Sequence, residues 1–172
     1  LRGYPDQVAA LIAVELCSLT IQRKDTSIPN LVATSLFGDG AAAVIAKGGA
    51  RSGGRARCAG PRVLATRSRI YPNTEDVRGF LEDHGLTPED VSTWVCHPGG
   101  PRVIEAVEHA LDLPDSALDH TRNSLRSNGN LSSVSVLDVL RANMADPPAP
   151  GSIGLMIAMG PAFCSELVLL AW

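Results

Sequence analysis

The chain has 172 residues, is 45% hydrophobic and 19% charged, and carries a formal net charge of −3. That length and composition suit one globular domain with a proper core. The slight acidity offers no electrostatic footprint for nucleic acid or an anionic membrane, and no apolar run is long enough for a membrane span. The opening Leu1-Arg2-Gly3-Tyr4-Pro5 has neither a basic leader nor a cleavage pattern, so a cytoplasmic protein is expected. Four cysteines, Cys17, Cys58, Cys96 and Cys164, lack the spacing of a zinc site or disulfide framework and suit a reducing compartment.

Val8 to Leu19 is almost continuously apolar and reads as a strand buried on both faces, with Cys17 inside it. A short helix follows over Ser27 to Leu36, then the turn Phe37-Gly38-Asp39-Gly40 and a buried strand over Ala41 to Ala46. Gly48 to Gly60 is a connection whose basic cluster, Arg51 to Arg57, sits among Gly, Ser and Ala and reads as a mobile solvated loop. Pro61 to Tyr71 alternates as a half-solvated strand. Val77 to His84 is helical with Gly85 as its stop, and Thr87-Pro88-Glu89-Asp90 turns into a strand over Val91 to His97. Pro101 to Leu113 is an amphipathic helix with Val103, Val107, Ala110 and Leu111 on one face, and with Glu105, Glu108 and His109 on a solvated one. Helices over Leu118 to Arg126 and Ser132 to Met144 precede two strands, Ile153 to Met159 and Phe163 to Trp172. Strands alternating with helices indicate a layered α/β core. There is no repeat, nucleotide-binding glycine fingerprint or GxSxG elbow.

Two polar residues stand at Gly-rich turns. His97 ends a strand, where α/β folds build sites, and Pro98-Gly99-Gly100 behind it permits close backbone approach. Asn130 lies between Gly129 and Leu131, just before a helix. Taken singly, Asn130 suits a helix cap or left-handed turn, and His97 a satisfied turn histidine. Together, a neutral imidazole and a carboxamide offer two donors to one oxygen, as an oxyanion or enolate requires.

Four stretches change that balance: LFGDGAAAVI (36–45), WVCHPGGPRVIEAVE (94–108), GNLSSVSVLDVLR (129–141) and AMGPAFCSELVLL (158–170). Their order across nearly the whole chain resembles the C-terminal part of a type III polyketide synthase, in an actinobacterial rather than plant form. The resemblance implies a thiolase-like layered α/β/α fold with a mixed sheet. Residues 1–47 would end the N-terminal half with its core strands, and residues 48–172 would form the C-terminal half. It also implies a cytoplasmic homodimer that condenses malonyl-CoA onto an acyl-CoA starter, without metal or redox cofactor, to a pyrone or phenolic ring. The family's triad is Cys-His-Asn, so the resemblance makes His97 and Asn130 catalytic. Phe37 falls on a gatekeeper phenylalanine, Gly38 beside it on the substrate side, and Ser132 on a cavity-lining serine. Ala33 and Ile21 fall on further cavity positions, and Pro161 on a loop shaping the cyclisation cavity, where Ala162 replaces the usual glycine. An initiating ketoacyl-carrier-protein synthase and a non-catalytic fragment of the fold are the alternatives.

Two departures stand out. The nucleophile is expected upstream of Leu1, and all four cysteines here read as inert thiols, Cys96 because neighbouring strand residues face opposite ways. Near Asp76-Val77-Arg78 a family segment of a few tens of residues is missing: either it is deleted, or these 172 residues are the ordered part of a longer polypeptide. The second reading is the one adopted, so the Cα atoms flanking that junction are expected to be much farther apart than one peptide step. A half-domain of this kind would expose apolar surface at Val8–Leu19 and at Ile153–Met159.

Overall fold

The computed structural model describes residues 1, 3–51, 60–70, 77–160 and 164–172. Among the described residues five α-helices and six strands run in the order β1 (Val8–Glu15), α1 (Ile28–Leu36), β2 (Gly40–Lys47), β3 (Arg62–Ile70), α2 (Val77–Glu82), β4 (Val91–Cys96), α3 (Pro101–Leu111), α4 (Asp119–Asn128), α5 (Ser133–Ala145), β5 (Ile153–Gly160) and β6 (Cys164–Ala171). The layered α/β arrangement is therefore as expected, with element limits within a few residues of the sequence reading. Cys58, most of the Arg51–Arg57 cluster, Asp76 with its junction, and Pro161 lie outside the described residues.

The strands form two sheets. In the larger, ordered β3-β6-β5-β4, β6 pairs antiparallel with both β3 and β5, while β4 and β5 run parallel. Parallel neighbours need a crossover, and α3, α4 and α5 supply it. Side chains alternate across the sheet. Trp94, Cys96, Leu155, Ile157, Leu167 and Leu169 face α2, α3 and α4, burying Phe80, Leu81, Ile104, Leu111 and Leu118 with them. Val95 and Met156 face the other way and meet Val136 and Val139 of α5.

Helix α5 also touches the smaller sheet, the antiparallel hairpin β1–β2. It is thus a middle layer between two sheets. Small residues permit the approach: a Cβ on Gly40 would sit 3.1 Å from Leu131 Cδ1 and 3.2 Å from Val134 Cγ1.

Several burial expectations fail. Val8–Leu19 is not a strand buried on both faces, nor is β2 buried. Only Ala13 and Glu15 of β1, and Gly40, Ala42 and Val44 of β2, are half-covered; Ile12 is 70% exposed. The strand stops at Glu15, and Cys17 lies half-buried in a 3-10 turn, Cys17–Thr20, with Leu19 79% exposed at its end. Ile153–Met159, expected at a bare surface, is an interior strand flanked by β4 and β6, and Leu155 is fully buried. On α3 the buried face is Ile104 and Leu111, with Ala110 exposed. Glu108 is not solvated: both its oxygens take hydrogen bonds from the Arg122 guanidinium of α4. The sequence pattern marks apolar stripes, but which stripe is covered depends on a layer contributed from elsewhere.

Candidate active site

The site is assembled at the C-terminal end of β4. His97 N–H donates to Ile157 O at 2.8 Å, continuing the parallel ladder one residue past the strand. Gly99 N–H then returns to His97 O at 2.9 Å, closing a tight turn around buried Pro98, whose ring already holds the φ this turn needs. Gly100 and Pro101 start α3 directly afterwards. His97 is thereby fixed through its backbone while its ring remains half-buried. Burial disfavours the imidazolium and lowers the His97 pKa, so the ring is a neutral donor and acceptor at physiological pH.

Asn130 arrives from the turn between α4 and α5. Its N–H donates to Leu36 O at 2.8 Å, and its O accepts from Gly38 N at 3.0 Å, so Asn130 and Phe37 form an isolated parallel bridge. Two glycines make that approach possible. Gly129 has φ +72, and a Cβ there would be 2.7 Å from Leu36 O; one on Gly38 would be 2.8 Å from Asn128 O. Asp138 of α5 staples the turn to α4 by accepting from Ser124 Oγ at 2.8 Å and Asn128 Nδ2 at 3.0 Å. Burial alone would raise the Asp138 pKa, but hydrogen bonds from Arg141, Ser124 and Asn128 outweigh it and hold the carboxyl below its ordinary value.

The Asn130 side chain, only 4% exposed, then crosses to the histidine turn. Nδ2 donates to Gly99 O at 3.1 Å, and Oδ1 accepts from Ser132 N at 2.9 Å. A carboxamide has two N–H groups, and Gly99 is the partner Nδ2 has among the described residues. One N–H remains for a ligand oxygen. Ser132 stands at φ 53 and ψ −127, a conformation that favours glycine. The Asn130 carboxamide helps hold this strained residue, as is common where strain serves a site.

A carboxylate from the hairpin completes the surroundings. Glu15 Oε1 accepts from Ser133 Oγ at 2.5 Å and Ser133 N at 3.2 Å, placing an anion at the N-terminus of α5. The side-chain bond from Ser133 is the largest cause of its lowered pKa. Asp39 is the turn residue the sequence suggests: it accepts from Ser18 N and Ser18 Oγ, at 2.7 and 2.6 Å, tying the turn after Phe37 to the one after β1.

Of the residues singled out from sequence, the structure joins Phe37, Gly38, Asn130 and Ser132 with the His97–Gly99 turn. Ala33 lies one helical turn before Phe37, whose N–H it accepts, and is exposed. Ile21 is exposed where the 3-10 turn ends. Glu15 and Ser135 are not marked out by the sequence, and Gly99 is marked only as a glycine that permits close backbone approach. Glu15 and Ser135 looked like ordinary members of apolar runs, and only the φ-free Gly99 carried a signal.

The cysteines fit the inert reading where they are described. Cys96 is buried and faces the core side of β4, where burial and then the Glu108 charge push its thiol up to about 12. Burial, then Glu15 and Asp39, raise Cys17. Cys164 is free at the start of β6. A thiolate nucleophile needs the opposite, a depressed pKa. Among the described residues no group of three or more His, Cys, Asp or Glu side chains could hold a metal, and no helix is long and apolar enough to cross a membrane.

Comparison with known proteins points the same way. Residues 67–171 match the family described as chalcone and stilbene synthases, C-terminal domain. The chain is 49% identical over 203 residues to 1,3,6,8-tetrahydroxynaphthalene synthase of Streptomyces peucetius subsp. caesius, an alignment covering 100% of this chain and 53% of that protein. It is 30% identical over 203 residues to 3,5-dihydroxyphenylacetyl-CoA synthase of Amycolatopsis orientalis, covering 99% and 53%. Among solved structures, 1,3,6,8-tetrahydroxynaphthalene synthase of Streptomyces coelicolor A3(2), a bacterial type III polyketide synthase, superimposes with a TM-score of 0.87 at 28% identity, covering 99% of this chain and 56% of that one. The chain spans about half the length of the curated relatives it matches.

Proposed function

This chain belongs to the chalcone and stilbene synthase family and has the thiolase-like layered α/β fold of the type III polyketide synthases it superimposes on, and on that premise we propose that it is the condensing half of a type III polyketide synthase. The reaction is decarboxylative Claisen condensation. A cysteine thiolate outside these 172 residues takes an acyl group from a starter CoA thioester, expelling CoA as a thiolate that takes a proton from solvent. Malonyl-CoA then loses CO₂, and the electron pair of the broken C–C bond becomes the enolate of the remaining thioester. His97 and Asn130 each direct an N–H at that enolate oxygen. The carbanion attacks the enzyme-bound acyl carbonyl, and the cysteine leaves as thiolate with a C–C bond formed.

The observation that carries this reading is the Asn130 carboxamide, which bonds Gly99 O of the histidine turn while its backbone bridges Phe37. These two contacts support donor geometry at Asn130 and the reading of Phe37 as a gatekeeper. Gly38 and Ser132 would flank the substrate, with Ala33, Ile21 and Pro161 as more distant cavity positions. The chemistry needs no metal or redox cofactor. The partners are acyl-CoA and malonyl-CoA, in a cytoplasmic homodimer, and the product is a pyrone or phenolic ring. Aligned stretches of 203 positions against a chain of 172 residues support the absence of a family segment, which we place near residues 76–78.

The test is release of CO₂ and incorporation of label from [2-¹⁴C]malonyl-CoA by the full-length gene product. Labelled polyketide is expected, with Asn130→Ala lowering decarboxylation by roughly 100-fold or more, the usual loss for one oxyanion donor. Turnover of malonyl-carrier protein but not malonyl-CoA would replace this reading with a ketoacyl synthase, and turnover of neither with a non-catalytic fold.

A further inference from the structure

The Asn130 carboxamide serves a substrate oxygen only when its NH₂ end faces the site, and its neighbours decide which end that is. Gly99 O is an acceptor, so the group 3.1 Å from it must be Nδ2. Ser132 N–H is a donor, so the group 2.9 Å from it must be Oδ1. A third neighbour is Ser135, in the first turn of α5 and 0% exposed. Its Oγ accepts from Leu131 N at 2.7 Å, and Asn130 Oδ1 lies 3.5 Å from it as the acceptor for its proton. That last contact is long for a hydroxyl donor. Ser135 therefore touches both the side chain of Asn130 and the backbone one residue after it.

We propose that Ser135 is a positioning residue for Asn130. Its hydroxyl joins the first turn of α5 to the carboxamide and holds the remaining N–H of Nδ2 toward the substrate. Loss of the hydroxyl removes one partner of Oδ1 and leaves the buried Leu131 N–H without its acceptor. The carboxamide then samples orientations in which its oxygen faces the developing enolate, which repels rather than stabilises it. This inference rests on Asn130 being a donor to the thioester oxygen.

The experiment measures kcat and KM for malonyl-CoA decarboxylation in the full-length gene product, with Ser135→Ala, Ser135→Cys, Asn130→Ala and the Asn130→Ala/Ser135→Ala pair, each with its melting temperature. Misorientation should cost less than deleting the donor, so Ser135→Ala is expected to lower kcat roughly 10-fold with KM unchanged. Ser135→Cys, which keeps the volume and a weaker donor, should fall between Ser135→Ala and the parent. In the Asn130→Ala background the Ser135 substitution should have no further effect on kcat, because residues acting as one unit are non-additive. A folded Ser135→Ala protein with the parent kcat overturns the inference while Asn130→Ala still loses activity. So does an equal fractional loss in both backgrounds, which would mark a role in the fold alone. Where Ser135→Ala does not fold, parent-level kcat in Ser135→Cys overturns it. Parent-level activity of Asn130→Ala instead overturns the assignment of Asn130 itself.

Discussion

At the scale of single residues the site depends on groups kept uncharged but still able to donate. Desolvation lowers the His97 pKa beneath its ordinary value, so the imidazole stays neutral into mildly acidic solution. Two consequences have the same sign. In the unfolded chain a histidine takes its proton near pH 6.5, while folded His97 takes it only at lower pH. Between those points the unfolded state binds more protons, so the His97 contribution to stability is complete above about pH 6.5 and is lost as pH falls through the folded value. The acid limb of the decarboxylation rate should likewise lie below pH 6.5. A pH–rate profile of the full-length gene product checks this; a limb above that point would mean that His97 is exposed or paired with an anion. Cys96 illustrates the contrary use of burial. Its neighbour His97 ends the strand, yet the thiol faces the core beside Glu108 and cannot ionise usefully.

At the scale of elements, the decisive part is the turn from α4 to α5, pinned to the segment after α1. The bridge between Phe37 and Asn130 depends on Gly129, where both a positive φ and a Cβ position 2.7 Å from Leu36 O exclude other residues. Gly129→Ala should therefore cost about 2 kcal/mol or more, combining backbone strain with a displaced hydrogen-bond pair. It should also lower decarboxylation more than it lowers acyl-CoA binding. Thermal unfolding with steady-state kinetics would check both; a melting point and kcat unchanged from the parent would show that the bridge is dispensable. On one face of the larger sheet, Glu108 and Arg122 join α3 to α4, a pairing no periodicity argument reveals because Glu108 looks like one more solvated charge.

At the scale of the whole molecule, coverage is uneven. In the four-stranded sheet β4 and β5 are covered on both faces through most of their length, whereas the outward face of the β1–β2 hairpin presents Ile12, Val14 and Ile45, and α1 presents Ile28 at 76% exposure. Exposed apolar side chains in this number make an association surface or a hazard. The 172-residue chain produced alone should bind anilinonaphthalene sulfonate and self-associate, and Ile12→Lys with Ile45→Lys should reduce both. Dye fluorescence and sedimentation would decide; a monomer that binds no dye would show the face to be harmless.

The sequence by itself determined the order of the elements, the placing of His97 at a strand end and Asn130 before a helix, and the family. These are local matters, set by period, by Gly and Pro, and by short motifs that survive reading one segment at a time. Burial could not be read this way. Val8–Leu19 and Ile153–Met159 are equally apolar, yet one stands exposed and the other lies between two strands, because coverage belongs to the neighbouring layer and not to the strand. The tertiary structure alone decided that Asn130 reaches Gly99, that Ser132 and Ser135 stand against its carboxamide oxygen, and that Glu15 caps α5 from 118 residues away. Hydrogen bonds between distant segments leave no period in the sequence; they exist only once the layers have met.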